Sequence, residues 1–119
     1  MSEEIKKTKE LIYDFWIVAG KLNQSKTEYI KFYVRPYAGN HQLGDVVRMS
    51  RSEVVELIRQ NKRFMVGRYD FEEELYKFGS SLYLRYNTQN GKYYLFGYPY
   101  DVSRDLILNL PEEVPDEWG

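Results

Sequence analysis

The chain contains no cysteine, which excludes disulfide bridges, thiolate metal sites and cysteine nucleophiles together. Histidine is almost as scarce. His41, in the loop-like segment AGNHQLG, is the only one, so no pair of imidazoles can bind a metal, and nucleases built on a His-hydrophobic-His metal site are ruled out. No apolar run approaches the roughly 18 residues of a membrane span. Charges occupy the N-terminus where a signal peptide would have its apolar region. The expectation is a soluble, unprocessed cytoplasmic protein with no membrane association, and the lack of cysteine fits a reducing compartment.

The signatures of catalysis are missing as well. GKLNQSK, residues 20–26, has a glycine and a lysine but not the spacing of a phosphate-binding P-loop. Ser80 and Ser81 have no nearby base and no nucleophile elbow. Asp70 with Glu72, Glu73 and Glu74 has the oxygen chemistry that Mg²⁺ or Ca²⁺ favours, but adjacent glutamates diverge in a helix or a strand, so the run reads as a solvated acidic face. The expectation is a protein that is not an enzyme and has neither a cofactor nor a bound metal.

At 119 residues the chain fits one domain, large enough to bury a core without covalent staples. Its net charge of −1 conceals a division: residues 20–69 hold ten Lys or Arg against four Asp or Glu, a net of +6, which leaves −7 for the rest. A basic middle between acidic flanks gives no general attraction to nucleic acid. A local basic face still acts within a Debye length of about 8–10 Å.

Along the chain, SEEIKKTKEL suits a helix starting at Ser2, with Glu3 and Glu4 placed well for the helix dipole. Residues 15–22, rich in β-formers, read as a strand in a hairpin with residues 27–37, the turn residues of GKLNQSK lying between. A competing reading runs the helix onward through Ile12, Phe15, Trp16 and Ala19, whose spacing also suits a helical stripe. GDVVRM reads as a short strand and SRSEVVELIRQN as the clearest helix: Ser50 and Glu53 form a capping box, Val54, Leu57 and Ile58 an apolar stripe, and Asn61 a left-handed stop. RFMVGRY reads as a strand and SLYLRYNTQNGKYYLFGY as a second hairpin, with Asn90 and Gly91 supplying positive φ angles in its turn. A helical turn is expected over residues 103–110. The sum is a small α+β domain over residues 1–110, a twisted antiparallel sheet with one main helix on one face, preceded by a helix or arm over about 2–13 and followed by an acidic tail over 111–119.

YLR at residues 83–85, DLILNLP at 105–111 and SEVVELI at 52–58 together resemble a short bacterial and mobile-element family known as a domain of unknown function. That family ends in a Tyr-Leu-Arg strand and an Asp-Asn-Leu-Leu-x-Leu-Pro terminus. The resemblance spans roughly residues 44–111, with Leu106 standing where the family has Asn and a longer stretch between the two motifs. It implies a few strands and one helix, and no activity.

The most informative segment is EYIKFYVRPY, residues 28–37. In an extended strand Glu28, Ile30, Phe32, Val34 and Pro36 share one face, and Tyr29, Lys31, Tyr33, Arg35 and Tyr37 share the other. Same-face residues lie about 6.6 Å apart, a spacing at which bases stack on aromatics while neighbouring cations meet phosphates. Tyr83 and Arg85, alike in parity, are expected to extend this surface. Twelve tyrosines exceed what a core of this size needs, and tyrosine offers flat contact area at little entropic cost. Three readings stay open. The first is a ligand with phosphate groups, single-stranded nucleic acid or a nucleotide. The second is a protein partner, whether in self-association as a homo-oligomer or as an inhibitor module of a virus or mobile element. The third is purely structural, since Tyr, Lys and Arg suit the half-exposed face of any sheet.

Overall fold

The computed structural model describes residues 13–39, 42–97, 105, 107 and 110–112. The helix or arm expected over 2–13 lies outside these residues apart from Tyr13, and the tail expected over 111–119 lies outside them apart from Pro111 and Glu112. The chain forms β1 (Phe15–Leu22), β2 (Tyr29–Gly39), β3 (Gln42–Leu43), β4 (Val47–Ser50), helix α1 (Arg51–Arg59), β5 (Phe64–Asp70), β6 (Leu75–Ser81), β7 (Tyr83–Asn87) and β8 (Lys92–Phe96). It is a small α+β fold with one described helix, and that helix is not long or apolar enough to cross a membrane.

The first hairpin is present, and the helical alternative for residues 12–19 is overturned where described. Asn23 closes the turn: its side-chain oxygen accepts from the Thr27 N–H at 2.9 Å, and its backbone N–H donates to the Glu28 carbonyl at 2.8 Å. Lys26 takes the left-handed angle between them, with φ at 59°. Strand order is β3-β2-β1-β5-β6, with β4 also paired to β2. All pairings but one are antiparallel. β1 runs parallel to β5, Phe15 opposite Phe64 and Ile17 opposite Val66, so the sheet is mixed rather than antiparallel throughout. The helix causes this: the chain leaves β4, traverses α1 and returns beside β1 in the same direction, as a parallel connection requires.

Helix α1 begins as its capping box predicts. The Glu53 N–H donates to Ser50 Oγ at 3.2 Å and the Ser50 N–H donates to Glu53 Oε1 at 2.9 Å. It ends in a Schellman motif, with Asn61 at φ 71° and the Lys62 N–H reaching back to the Leu57 carbonyl at 3.0 Å. Strand β6 and the short β3 were not expected from the sequence. The second hairpin is a separate two-stranded sheet, β7 with β8. In its turn only Gly91 takes a positive φ, at 71°; Asn87 accepts from the N–H groups of Gln89 and Asn90, and the Asn90 side chain accepts from the Lys92 N–H at 3.0 Å. Asp105, Ile107 and Leu110, the described members of the expected helical turn, have no regular secondary structure.

One hydrophobic core lies between the inner face of the large sheet and a cover made of α1 and the second hairpin. Ile17, Phe32 and Val34 from the sheet meet Val54 from the helix and Leu95 from β8, all fully buried. Leu82 and Ile107 fill the remaining sides.

Candidate functional site

Strand β2 obeys its alternation with one exception, and the exception moves a candidate residue. Phe32 and Val34 turn into the core, and Lys31, Tyr33, Arg35 and Tyr37 are half-buried on the opposite, second face. Pairing with β1 runs Lys21 opposite Lys31 and then Leu22 opposite Tyr29, so Ile30 is an extra residue, a β-bulge. The bulge turns Tyr29 inward. It is 4% exposed, its ring lies 5.2 Å from that of Phe32, and Ile30 takes the solvent position instead at 52% exposure. Tyr29 therefore belongs to the core and not to the binding face. Gly20 accommodates it, because a Cβ there would come within 2.9 Å of the Tyr29 ring. Burial, with the Asp105 charge adding to it, pushes the Tyr29 hydroxyl up to about 12.

Tyr83 and Arg85 are also displaced from the expected surface. Their strand belongs to the second sheet, whose Leu84 and Leu95 pack into the core from the side opposite the second face. The two hairpins do not form one continuous surface. Tyr83 and Arg85 are exposed, but with β7, across the core from Lys31 and Tyr33.

In place of these residues the register brings two cations that sequence reasoning missed. Lys21 of β1 sits directly opposite Lys31, and Arg48 of β4 directly opposite Tyr33. Among the described residues Lys21, Lys31 and Arg48 form no ion pair. Lys31 instead places its ammonium 5.4 Å from the centre of the Tyr33 ring. Arg35 donates from Nε to the Gly44 carbonyl at 2.7 Å and lies 5.7 Å from the Tyr76 ring. The signal for Lys21 was available: the turn at Asn23 fixes its partner once the hairpin is accepted. Arg48 depends on β4 reaching β2 across a loop, which no local pattern encodes.

Among the described residues the one buried charged side chain is Asp105, and its chemistry is fully occupied. Oδ1 accepts from the Leu95 N–H at 2.7 Å and from Arg51 Nη2 at 3.0 Å; Oδ2 accepts from the Tyr29 N–H at 2.7 Å and from Arg51 Nη1. The other Arg51 contacts go to the Tyr93 carbonyl at 2.6 Å, to the Tyr29 carbonyl at 3.4 Å and to Glu28 at 3.9 Å. With every lone-pair direction of the carboxylate used, Asp105 joins β2, β8 and the start of α1 and has no capacity left for a metal or a proton-transfer role.

The acidic run at the β5–β6 turn is similarly self-contained. Asp70 accepts from the N–H groups of Glu72 and Glu73, and Lys77 bridges Asp70 at 3.0 Å and Glu73 at 2.6 Å. The Lys77 hydrogen bond holds the Asp70 carboxyl below its ordinary value, and the same contacts raise Lys77, the Glu73 bond most. No group of three His, Cys, Asp or Glu side chains placed to hold a metal occurs among the described residues.

Comparison with known proteins returns no match: no protein-family model, no curated sequence and no solved structure is significantly similar to this chain.

Proposed function

We propose that this chain is a non-catalytic cytoplasmic binding module whose second sheet face takes a phosphate-bearing ligand, single-stranded nucleic acid or a nucleotide. The observation that carries this reading is the trio of Lys21, Lys31 and Arg48 on three adjacent strands, none with an anionic partner among the described residues. Like charges directly opposite each other across a sheet are destabilising, so the Lys21–Lys31 pair costs the free protein stability that a bound phosphate restores. Tyr33 lies between Lys31 and Arg48 as a stacking platform, and Arg35 and Tyr37 continue the face along β2.

The test is a titration of fluorescent single-stranded oligonucleotides and common nucleotides at several salt concentrations. Binding should weaken steeply with salt, and Lys31→Ala should reduce the slope of log affinity against log salt by about 0.7 to 1. No binding of any of them at low salt overturns the reading. A protein partner, including a second copy of this chain, is the alternative, favoured by the exposed Phe71, Leu75 and Phe78 at the far end of the sheet. Binding through those side chains would respond little to salt.

A further inference from the structure

The cations of the second face are not evenly spread. Lys21 and Lys31 stand directly opposite each other on β1 and β2, in the last pairing before the bulge at Ile30. Beyond them that bulge turns Tyr29 into the core, so β2 offers no further ring on this face in that direction. In the other direction the next residue of β2 on the face is Tyr33, and Arg48 of β4 lies directly opposite it. Arg48 points to this side because its neighbour Met49 packs against the core. It is thus the diagonal neighbour of Lys31, and such neighbours lie about 7–8 Å apart across an antiparallel pair. The layout is a doubled positive seat where the face ends and a single one a step further along. None of the three cations has an ion pair among the described residues.

We propose that the Lys21–Lys31 pair seats the terminal phosphate of a single nucleic-acid strand, a phosphomonoester at its 5′ or 3′ end, with the adjoining phosphodiester on Arg48; the assignment rests on the phosphate-binding reading above. Charge decides between the two kinds of phosphate. A phosphodiester carries one negative charge and leaves one lysine of the pair uncompensated, whereas a phosphomonoester carries about −1.5 to −2 at pH 7 and matches both. Donor geometry agrees. Each ammonium is a point charge with rotatable donors, so two of them close on a tetrahedral group from adjacent strands, while Arg48 presents a planar fork to the two free oxygens of a diester. In the free protein the Lys31 ammonium rests 5.4 Å from the centre of the Tyr33 ring. A cation–π contact at a partly exposed site is weaker than a charge-assisted bond to phosphate, so the bound phosphate draws Lys31 off the ring, and the face it leaves meets the terminal base. A free mononucleotide would leave Arg48 unused, and an internal stretch of strand would leave one lysine over. A phosphorylated end meets all three cations.

The experiment is fluorescence titration of the full chain with one short, internally labelled oligonucleotide in three forms: 5′-phosphorylated, 3′-phosphorylated and without a terminal phosphate. One phosphorylated form should bind about 10- to 100-fold more tightly than the bare strand, the range of a charge-assisted hydrogen bond, and which form does so assigns the end. Its log affinity should also fall more steeply with log salt, by about 0.7. Lys21→Ala should bring the phosphorylated and bare strands to equal affinity without lowering the melting temperature, because the side chain is exposed and its removal ends a like-charge opposition. Arg48→Ala should weaken all three forms by the same factor and keep the preference. Equal affinity of the wild type for all three forms overturns the end assignment while leaving the phosphate face standing; no binding of any form at low salt removes both. A preference that survives Lys21→Ala also overturns it.

Discussion

Two faces of one strand meet different physical demands in this protein. On the inner face of β2, Phe32 and Val34 are fully buried against helix α1 and the second hairpin, while Tyr33 and Arg35, one residue away on the same strand, stay half-exposed beside uncompensated positive charge. The inner face is over-determined. Its aliphatic packing is reinforced by Asp105, which has a protein donor for every acceptor direction. The second face is under-determined, since its Lys21, Lys31 and Arg48 form no ion pair among the described residues. Stability is concentrated on one side, and the other is the side proposed to take a ligand.

The comparison breaks most visibly at Asp105. Asp105→Ala leaves Arg51 without its buried partner and strips acceptors from the Tyr29 and Leu95 N–H groups, so it should destabilise the domain by about 3–5 kcal/mol in denaturant melts. The next effect is alkaline. The Tyr29 hydroxyl is raised from 10.0 to about 12 in the folded state. Its contribution is therefore fully present below pH 10, where the unfolded tyrosine begins to ionise, and is lost as pH rises toward 12. The loss should reach about 2–3 kcal/mol. Melts of wild type and Tyr29→Phe across that window isolate it, because the variant should lose less. A parallel decline in both would show that the hydroxyl is not the group responsible.

The second face should answer in the opposite currency. Tyr33→Ala should cost about 1–3 kcal/mol of oligonucleotide binding and less than about 1 kcal/mol of stability. If stability falls more than binding, Tyr33 serves packing and the contrast between the faces disappears. The smallest effect is at the helix start. Ser50→Ala should lower stability by about 1 kcal/mol and leave ligand affinity unaltered.

Local chemistry was legible in the sequence, and long-range geometry was not. The turn at Asn23, the capping box of Ser50 and Glu53 and the stop at Asn61 each depend on residues within a few positions, and each stands where the pattern put it. Tyr29 was assigned to the wrong face because strict alternation has no place for a bulge, and the bulge at Ile30 is stabilised by Asp105, 76 positions from Tyr29. The parallel pairing of β1 with β5 is likewise non-local. β6 escaped notice because LYKFGSS mixes exposed apolar residues with glycine and serine, as an edge strand tolerates. For the site, Lys31, Tyr33, Arg35 and Tyr37 were readable from parity, whereas Lys21 and Arg48 came from strand register. Asp105 itself carried a faint signal, a lone acid ahead of the apolar run Leu106, Ile107, Leu108.

The Asp105 junction also has a consequence for the order of folding. Its partners lie 10, 54 and 76 positions away, so closing it requires long loops to be restrained first. The first hairpin and the capped helix, built from near neighbours, can assemble without it. Asp105 is thus a late latch, one whose loss should leave the refolding rate nearly untouched and appear almost entirely as faster unfolding.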